Sequence, residues 1–316
     1  MKRGHPMTPE TISERESKFA LKLVDSTAKQ FTAGNPIPIT DGFEITPISA
    51  SFKTYYYQTK TKKTQICLHF TVGVLPGDIA TLTKENNRMS VQYVVDRLGH
   101  IYRLFPDEFW SYHLGPTAIG GNSIMSKQSI GIEISNYGPL RLKDDKYVDV
   151  YGNTYTMDDT LVDAVSYRGY DFYAKMSERQ TKAIASLLVY LSDKHGIPLD
   201  FKEDVGNVFG SAEEAVNFKG VFCHSNVRSD KFDLPPEMVF QIKDALKPHT
   251  ATPTVAEEKK EEPVKEEKNE PTEEKHDYHV EENQKGEPVI VDRANEPAVP
   301  PKRTWWQKLL DWFRKR

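Results

Sequence analysis

The chain predicts an α/β domain followed by a charged tail, and three observations predict it. Strand-like runs at 65–72, 90–96, 100–104, 128–135 and 221–222 alternate with helical patterns at 177–195 and 235–246. Acidic and basic residues then separate: 256–300 carries 15 acidic and 7 basic residues, a net of −8, while 301–316 carries 6 basic and 1 acidic, a net of +5. Finally, three of the four tryptophans (Trp305, Trp306 and Trp312) fall in the last segment. The total charge is −4 over 316 residues, which leaves −1 for 1–255. A nearly neutral folded part gives no footprint for nucleic acid, so none is expected as a partner.

In order, Thr8-Pro9-Glu10 starts a helix, and Phe19, Leu21, Leu23 and Val24 give it a loose apolar side. Gly34 to Pro38 is a turn-rich connection, and 43–57 mixes β-branched and aromatic residues. Gln65 to Val72 is the clearest strand, and a helix opened by Pro76-Gly77-Asp78 follows it to about Glu85. Arg97-Leu98-Gly99 joins two strands as a hairpin. The interval 140–176 reads as a hairpin around Gly152-Asn153 and then an irregular loop through Tyr167-Arg168-Gly169-Tyr170. Ser177 with Gln180 makes a capping box, Ile184, Leu187, Leu188 and Leu191 make a core face, and Gly196 ends the helix. A short helix is expected at 212–216, and Pro235-Pro236-Glu237 starts the last core helix.

The Glu/Lys/Pro-rich 249–300 is expected to be an extended, solvated linker. In 301–316, Trp305, Leu309, Trp312 and Phe313 share one helical face opposite cationic residues. That pattern suits an amphipathic helix lying on an anionic membrane or envelope surface, or docking back on protein. The chain therefore divides into a helical extension (1–42), a catalytic domain (43–248), a linker (249–300) and a terminal helix (301–316). The basic start has no apolar run behind it, so cytoplasmic synthesis without a secretory signal is expected.

The chemistry is concentrated in Cys223-His224-Ser-Asn-Val-Arg-Ser-Asp-Lys231-Phe-Asp233. Histidine and carboxylate both bind zinc, and Lys231 is a positive charge close by in sequence. A third ligand must come from elsewhere, and His69, in the apolar run 66–72, is the candidate. Two histidines and a carboxylate leave a fourth position for water. Read alone, His69 fits a hydrogen-bonded core residue as well as a ligand. Cys67 and Cys223 fit buried thiols, with a ligand role for Cys67 the other reading. Glu133 sits among apolar residues of its strand, where a carboxylate is paired or functional. Trp110, Tyr112 and His113 fit either a packed corner or a groove for a sugar or peptide.

Taken together, these stretches resemble the zinc-dependent N-acetylmuramoyl-L-alanine amidases, the group of T7 lysozyme, AmpD-type enzymes and peptidoglycan recognition proteins. The resemblance runs from about Thr64 to Leu246 through five pieces in order: Leu-His69-Phe-Thr, the 92–102 hairpin, Trp110-Ser-Tyr-His113-Leu-Gly115, Ser129-Ile-Gly-Ile-Glu133, and His224 with Lys231-Phe-Asp233. It implies a central mixed β-sheet flanked by helices. It further implies Zn²⁺ on His69, His224 and Asp233, with Glu133 and Lys231 catalytic and with Tyr93, Trp110 and His113 lining the substrate groove. The implied reaction cleaves the amide between N-acetylmuramic acid and the L-alanine of the stem peptide in bacterial peptidoglycan. Two departures stand out: Asp233-Leu234-Pro235-Pro236 replaces the family's Asp-Pro-Gly, and 140–176 and 200–219 look like insertions.

The tail favours a phage-type endolysin, acting as a monomer on the wall after release. A cytosolic muropeptide-recycling amidase and a non-catalytic peptidoglycan-binding module are the alternatives.

Overall fold

The computed structural model describes residues 17–19, 31–156, 162–204, 206–250, 279–282 and 288–291. The chain divides into two units, 1–254 and 255–316. The first unit opens with β1 (Phe31–Ala33), β2 (Ile37–Pro38), β3 (Glu44–Ala50) and β4 (Gln65–Phe70). Helix α1 (Leu75–Leu82), the hairpin β5 (Tyr93–Val95)–β6 (Ile101–Arg103), helix α2 (Asn122–Gln128) and β7 (Ser129–Ile134) follow. Next come β8 (Pro139–Lys143), β9 (Lys146–Asp149), β10 (Thr154–Thr156), β11 (Val162–Tyr167) and β12 (Tyr170–Ala174). Helices α3 (Glu178–His195) and α4 (Ala212–Asn217), strand β13 (Gly220–Cys223), the single turn α5 (His224–Val227) and helix α6 (Pro236–Thr250) complete it.

The main sheet runs β1-β3-β6-β5-β7-β4-β13, with β2 also on β3. It is mixed, as expected: β4 lies parallel to both β7 and β13, whereas β5 and β6 are antiparallel. Every residue of β4 is buried, as a central parallel strand requires. Side chains alternate across it. Ile66, Leu68 and Phe70 join Ile130, Ile132 and Ile134 in one core with Ile184, Leu187, Leu188 and Leu191 of α3 and Met238, Val239 and Ile242 of α6. The intervening Cys67 packs on the opposite side with Leu114, Met125 and Phe222. His69, two residues on, therefore projects to that side, away from α3 and α6.

Caps and ends follow the sequence. The Ser177 side chain accepts from the Gln180 amide, and Gly196 closes α3 in the left-handed conformation. The helix expected over 8–26 lies outside the described residues except for 17–19. Asp78 does not cap α1; its carboxylate accepts hydrogen bonds from Thr71 and Ser135 and clamps the loop after β4. A Cβ on Gly73 would meet Asp78 Oδ1 at 2.1 Å, so this approach requires glycine.

The interval 140–176 differs from expectation. It folds into a five-stranded antiparallel sheet, β10-β9-β8-β12-β11. The expected irregular loop 167–170 is the tight β11–β12 turn, with φ of 49° at Arg168 and 82° at Gly169. Aspartates break its apolar alternation, and the β8–β12 pairing is long-range, so periodicity alone does not reveal it. Within 249–300, His279–Glu282 (β14) pairs with Pro288–Val291 (β15), using Val280, Val289, Ile290 and Val291 where an extended linker was expected. The terminal helix expected at 301–316 lies outside the described residues. Among described residues no helix is long and apolar enough to cross a membrane.

Tyr93, expected in the substrate groove, lies in the core instead. It is fully buried, and its hydroxyl donates to Asp107 Oδ1, so it braces the core and lines no groove. Asp107 also binds Lys194 Nζ at 2.8 Å and His195 Nε2 at 3.1 Å, tying the loop after β6 to the end of α3. Burial pushes the Asp107 carboxyl up, but His195, Lys194 and Tyr93 outweigh it and hold it at about 2. Asp107→Asn should cost about 3–5 kcal/mol in urea unfolding at neutral pH, as breaking a buried ion pair does. The folded pKa is depressed, so this stabilisation is full above the unfolded pKa and fades as pH falls from about 4 through 2. The same deficit at pH 2 as at pH 7 would contradict it.

Candidate metal centre

The site is built at the carboxyl ends of three adjacent strands, where open α/β sheets place their ligands. His69, the penultimate residue of β4, lies opposite Glu133 of β7, and His224 follows β13 directly. The chain then loops through 225–232 and returns Asp233, with the Ser225 amide donating to the Asp233 carbonyl at 2.9 Å. His69, His224 and Asp233 are all buried.

Three atoms converge. His69 Nδ1 and His224 Nδ1 are 3.1 Å apart, and Asp233 Oδ2 is 3.1 Å from His224 Nδ1 and 3.5 Å from His69 Nδ1. The edge of a tetrahedron around zinc with bonds of about 2.0–2.1 Å is roughly 3.3 Å. The hydrogen bonds behind the histidines settle which nitrogens carry protons. His224 Nε2 donates to the Leu114 carbonyl at 2.9 Å, leaving Nδ1 with its lone pair. Ser129 spends its only proton on the Met125 carbonyl at 2.6 Å, so its oxygen accepts from His113 Nε2 at 2.9 Å. His113 Nδ1 then accepts from His69 Nε2 at 3.0 Å, and His69 Nδ1 is also left bare. Two lone pairs and a carboxylate oxygen thus face one another with no proton to share. Such a cluster repels itself until a cation sits in it, so the residues fit zinc.

The electrostatics agree. Burial holds His224 down to about 4 and His113 well below its usual value, so both are neutral. Burial pushes the Asp233 carboxyl up, opposed by the two imidazoles beside it. Burial raises Glu133 well above the carboxylate range, helped by Asp233 and Asp78 and opposed by Lys231. Burial lowers Lys231, against the pull of Asp233. Glu133 Oε2 is buried with no hydrogen-bond partner among the described residues, a costly state for a carboxylate oxygen that serves only structure.

A second cluster, Cys67, His69 and His113, shares His69 through its other nitrogen. One feature argues against it: the His69–His113 hydrogen bond already uses one nitrogen of each imidazole. The Cys67 thiol is buried among apolar neighbours, and burial raises its pKa well above normal. Cys67 is thus a core thiol.

The groove residues divide differently from expectation. His113 is half-buried and orients His69. Trp110 is 5% exposed, stacked on Tyr57 at 4.2 Å between centroids with Lys127 Nζ 5.3 Å over its ring, which makes it a packed corner. Ser129 and Gly131 were assigned no role from the sequence beyond their place in the motif, although both alternate with Glu133 on the site face of β7. Period two could have found them. A Cβ on Gly131 would come within 2.7 Å of Val91 and 3.3 Å of His113 Nδ1, so glycine makes room for the histidine.

Comparison with known proteins places this geometry. A family model described as N-acetylmuramoyl-L-alanine amidase matches residues 59–233, more than half of the chain. No curated protein sequence matches. Among solved structures, AmiD from E. coli in complex with anhydro-N-acetylmuramic acid-L-Ala-D-γ-Glu-L-Lys is 18% identical, over 58% of this chain and 60% of that one, with a TM-score of 0.37. AmpDH3 from Pseudomonas aeruginosa is 17% identical over 62% of this chain and 63% of its own, with a TM-score of 0.37. The endolysin amidase LysCS from Clostridium intestinale is 15% identical over 64% and 96%, with a TM-score of 0.35. The chain thus spans less than two thirds of the AmiD and AmpDH3 chains, and at these identities no neighbour's activity transfers by itself. The family match covers the strands and loops that carry His69, Glu133, His224 and Asp233, and the chain belongs to the N-acetylmuramoyl-L-alanine amidase family.

Proposed function

We propose that this protein is a zinc-dependent N-acetylmuramoyl-L-alanine amidase that hydrolyses the amide between N-acetylmuramic acid and the L-alanine of the stem peptide. The observation that carries the reading is the convergence of His69 Nδ1, His224 Nδ1 and Asp233 Oδ2 within 3.1–3.5 Å. These three residues hold the metal. When bound, zinc supplies Lewis acidity toward water and the scissile carbonyl. Glu133 takes the proton of the attacking water and passes it to the departing alanine nitrogen. Lys231 faces the negative charge that grows on the carbonyl oxygen. Burial keeps water from screening that charge.

The charge pattern of 256–316 supports lysis as the setting. A cationic, Trp-rich end raises the local concentration of an enzyme at an anionic envelope, and a recycling enzyme acting on soluble fragments gains nothing from it. The test is release of alanine amino groups from purified peptidoglycan with and without a zinc chelator, alongside a chain lacking 301–316. Chelator-sensitive release is expected, with the truncated chain losing activity on cells and keeping it on soluble muropeptides. Binding to peptidoglycan without release would favour the non-catalytic reading. Equal losses on both substrates would remove the envelope role of the tail.

A further inference from the structure

We propose that Arg168, at the tip of the β11–β12 hairpin, is a positioning residue that holds the 225–231 loop, and through it Lys231 and Asp233, in working geometry. Its guanidinium serves five backbone carbonyls. Nη1 lies 2.5 Å from the oxygens of Ser229 and Lys231 and 3.2 Å from that of Arg228. Nη2 lies 3.0 Å from the Gly206 oxygen and 3.2 Å from that of Ser225. Backbone carbonyls left without a backbone partner need such donors, and the planar fork of arginine offers two N–H groups on each Nη, which these five oxygens share.

A second contact points the same way. Tyr170, on the far side of the turn, meets Phe232 edge-on at 5.8 Å, and Phe232 stacks on Phe70 of β4 at 5.9 Å. Phe232 lies between Lys231 and Asp233, so the hairpin grips the loop on both sides of Lys231. The turn accepts a left-handed backbone at Arg168, φ 49°, uncommon for a residue other than glycine and maintained here with the side chain committed to the loop. The five-stranded insertion, whose role the sequence left open, thereby reaches the loop that carries Lys231 and Asp233. This role rests on the proposed catalytic reading of Lys231 and Asp233.

The test uses the full chain as Arg168→Ala and Arg168→Lys. Turnover and KM on a soluble muropeptide, metal content, and amide hydrogen exchange over 225–233 are measured with and without methylguanidinium. For Arg168→Ala, kcat is expected to fall about 100-fold with KM unchanged, as displacing a reacting group does. Exchange in the loop should rise, and methylguanidinium, not methylammonium, should restore both. Arg168→Lys should behave like Arg168→Ala, because a point charge cannot replace the fork. Unchanged kcat, or a loss that comes with general unfolding and no rescue, would overturn the proposal. If the parent chain releases no alanine, the amidase reading fails instead. Loop exchange still decides Arg168 in that case: a rise reversed by methylguanidinium supports it, and unchanged exchange overturns it.

Discussion

Glu133→Gln is expected to lower kcat for amide cleavage by about 10²–10⁴-fold while the protein keeps its metal and its fold. Glutamine matches glutamate in size and cannot take a proton from water. Glu133 Oε2 is buried without a hydrogen-bond partner among the described residues, and the negative charges of Asp233 and Asp78 lie close enough to raise its pKa. Ionised glutamate is therefore a burden to the folded state, and the amide should leave the melting temperature unchanged or raise it. Parallel measurement of kcat, metal content and thermal unfolding separates the roles. Metal lost together with activity, or a large drop in melting temperature, would make Glu133 structural.

His224→Ala is expected to abolish both metal binding and turnover, with metal affinity falling by more than the roughly 10–100-fold typical of removing an outer-shell partner. It deletes one of three converging atoms and strands the Leu114 carbonyl that the imidazole satisfied. The competing cluster makes the opposite forecast, because Cys67, His69 and His113 would keep a metal when His224 is gone. Titration with Co²⁺ reads affinity directly, and a thiolate charge-transfer band would reveal Cys67. Cys67→Ala should leave affinity intact, since its protonated thiol packs against Leu114, Met125 and Phe222. Metal binding that survives His224→Ala and disappears in Cys67→Ala would move the centre to the other cluster.

Much of this protein is local in its sequence. Strand β4, the β5–β6 hairpin, the capped helix α3 and the candidate ligands His69, His224 and Asp233 are legible because each depends on side-chain period, a turn or cap residue, or a short motif. The extra sheet at 139–174 was not legible beyond one hairpin, because the β8–β12 pairing that joins its two halves is long-range and aspartates interrupt the alternation of its strands. Helix α2 was missed because Gly121, at its start, offers no side-chain cap.

The split is sharpest at the site. Residue types and their order carry the family, and through that resemblance they name His69, His224 and Asp233 as candidate donors. Only the tertiary structure decided which nitrogen of each histidine faces the centre, because the Leu114 carbonyl and the Ser129–His113 pair that hold the opposite nitrogens come from other parts of the fold. It also withdrew Tyr93 into the core, turned Trp110 into a corner, and set Arg168 against the ligand loop about 60 residues downstream. Motifs specify which atoms a chain owns; hydrogen bonds and packing between distant segments specify where those atoms point, and both depend on contacts that no sequence window contains.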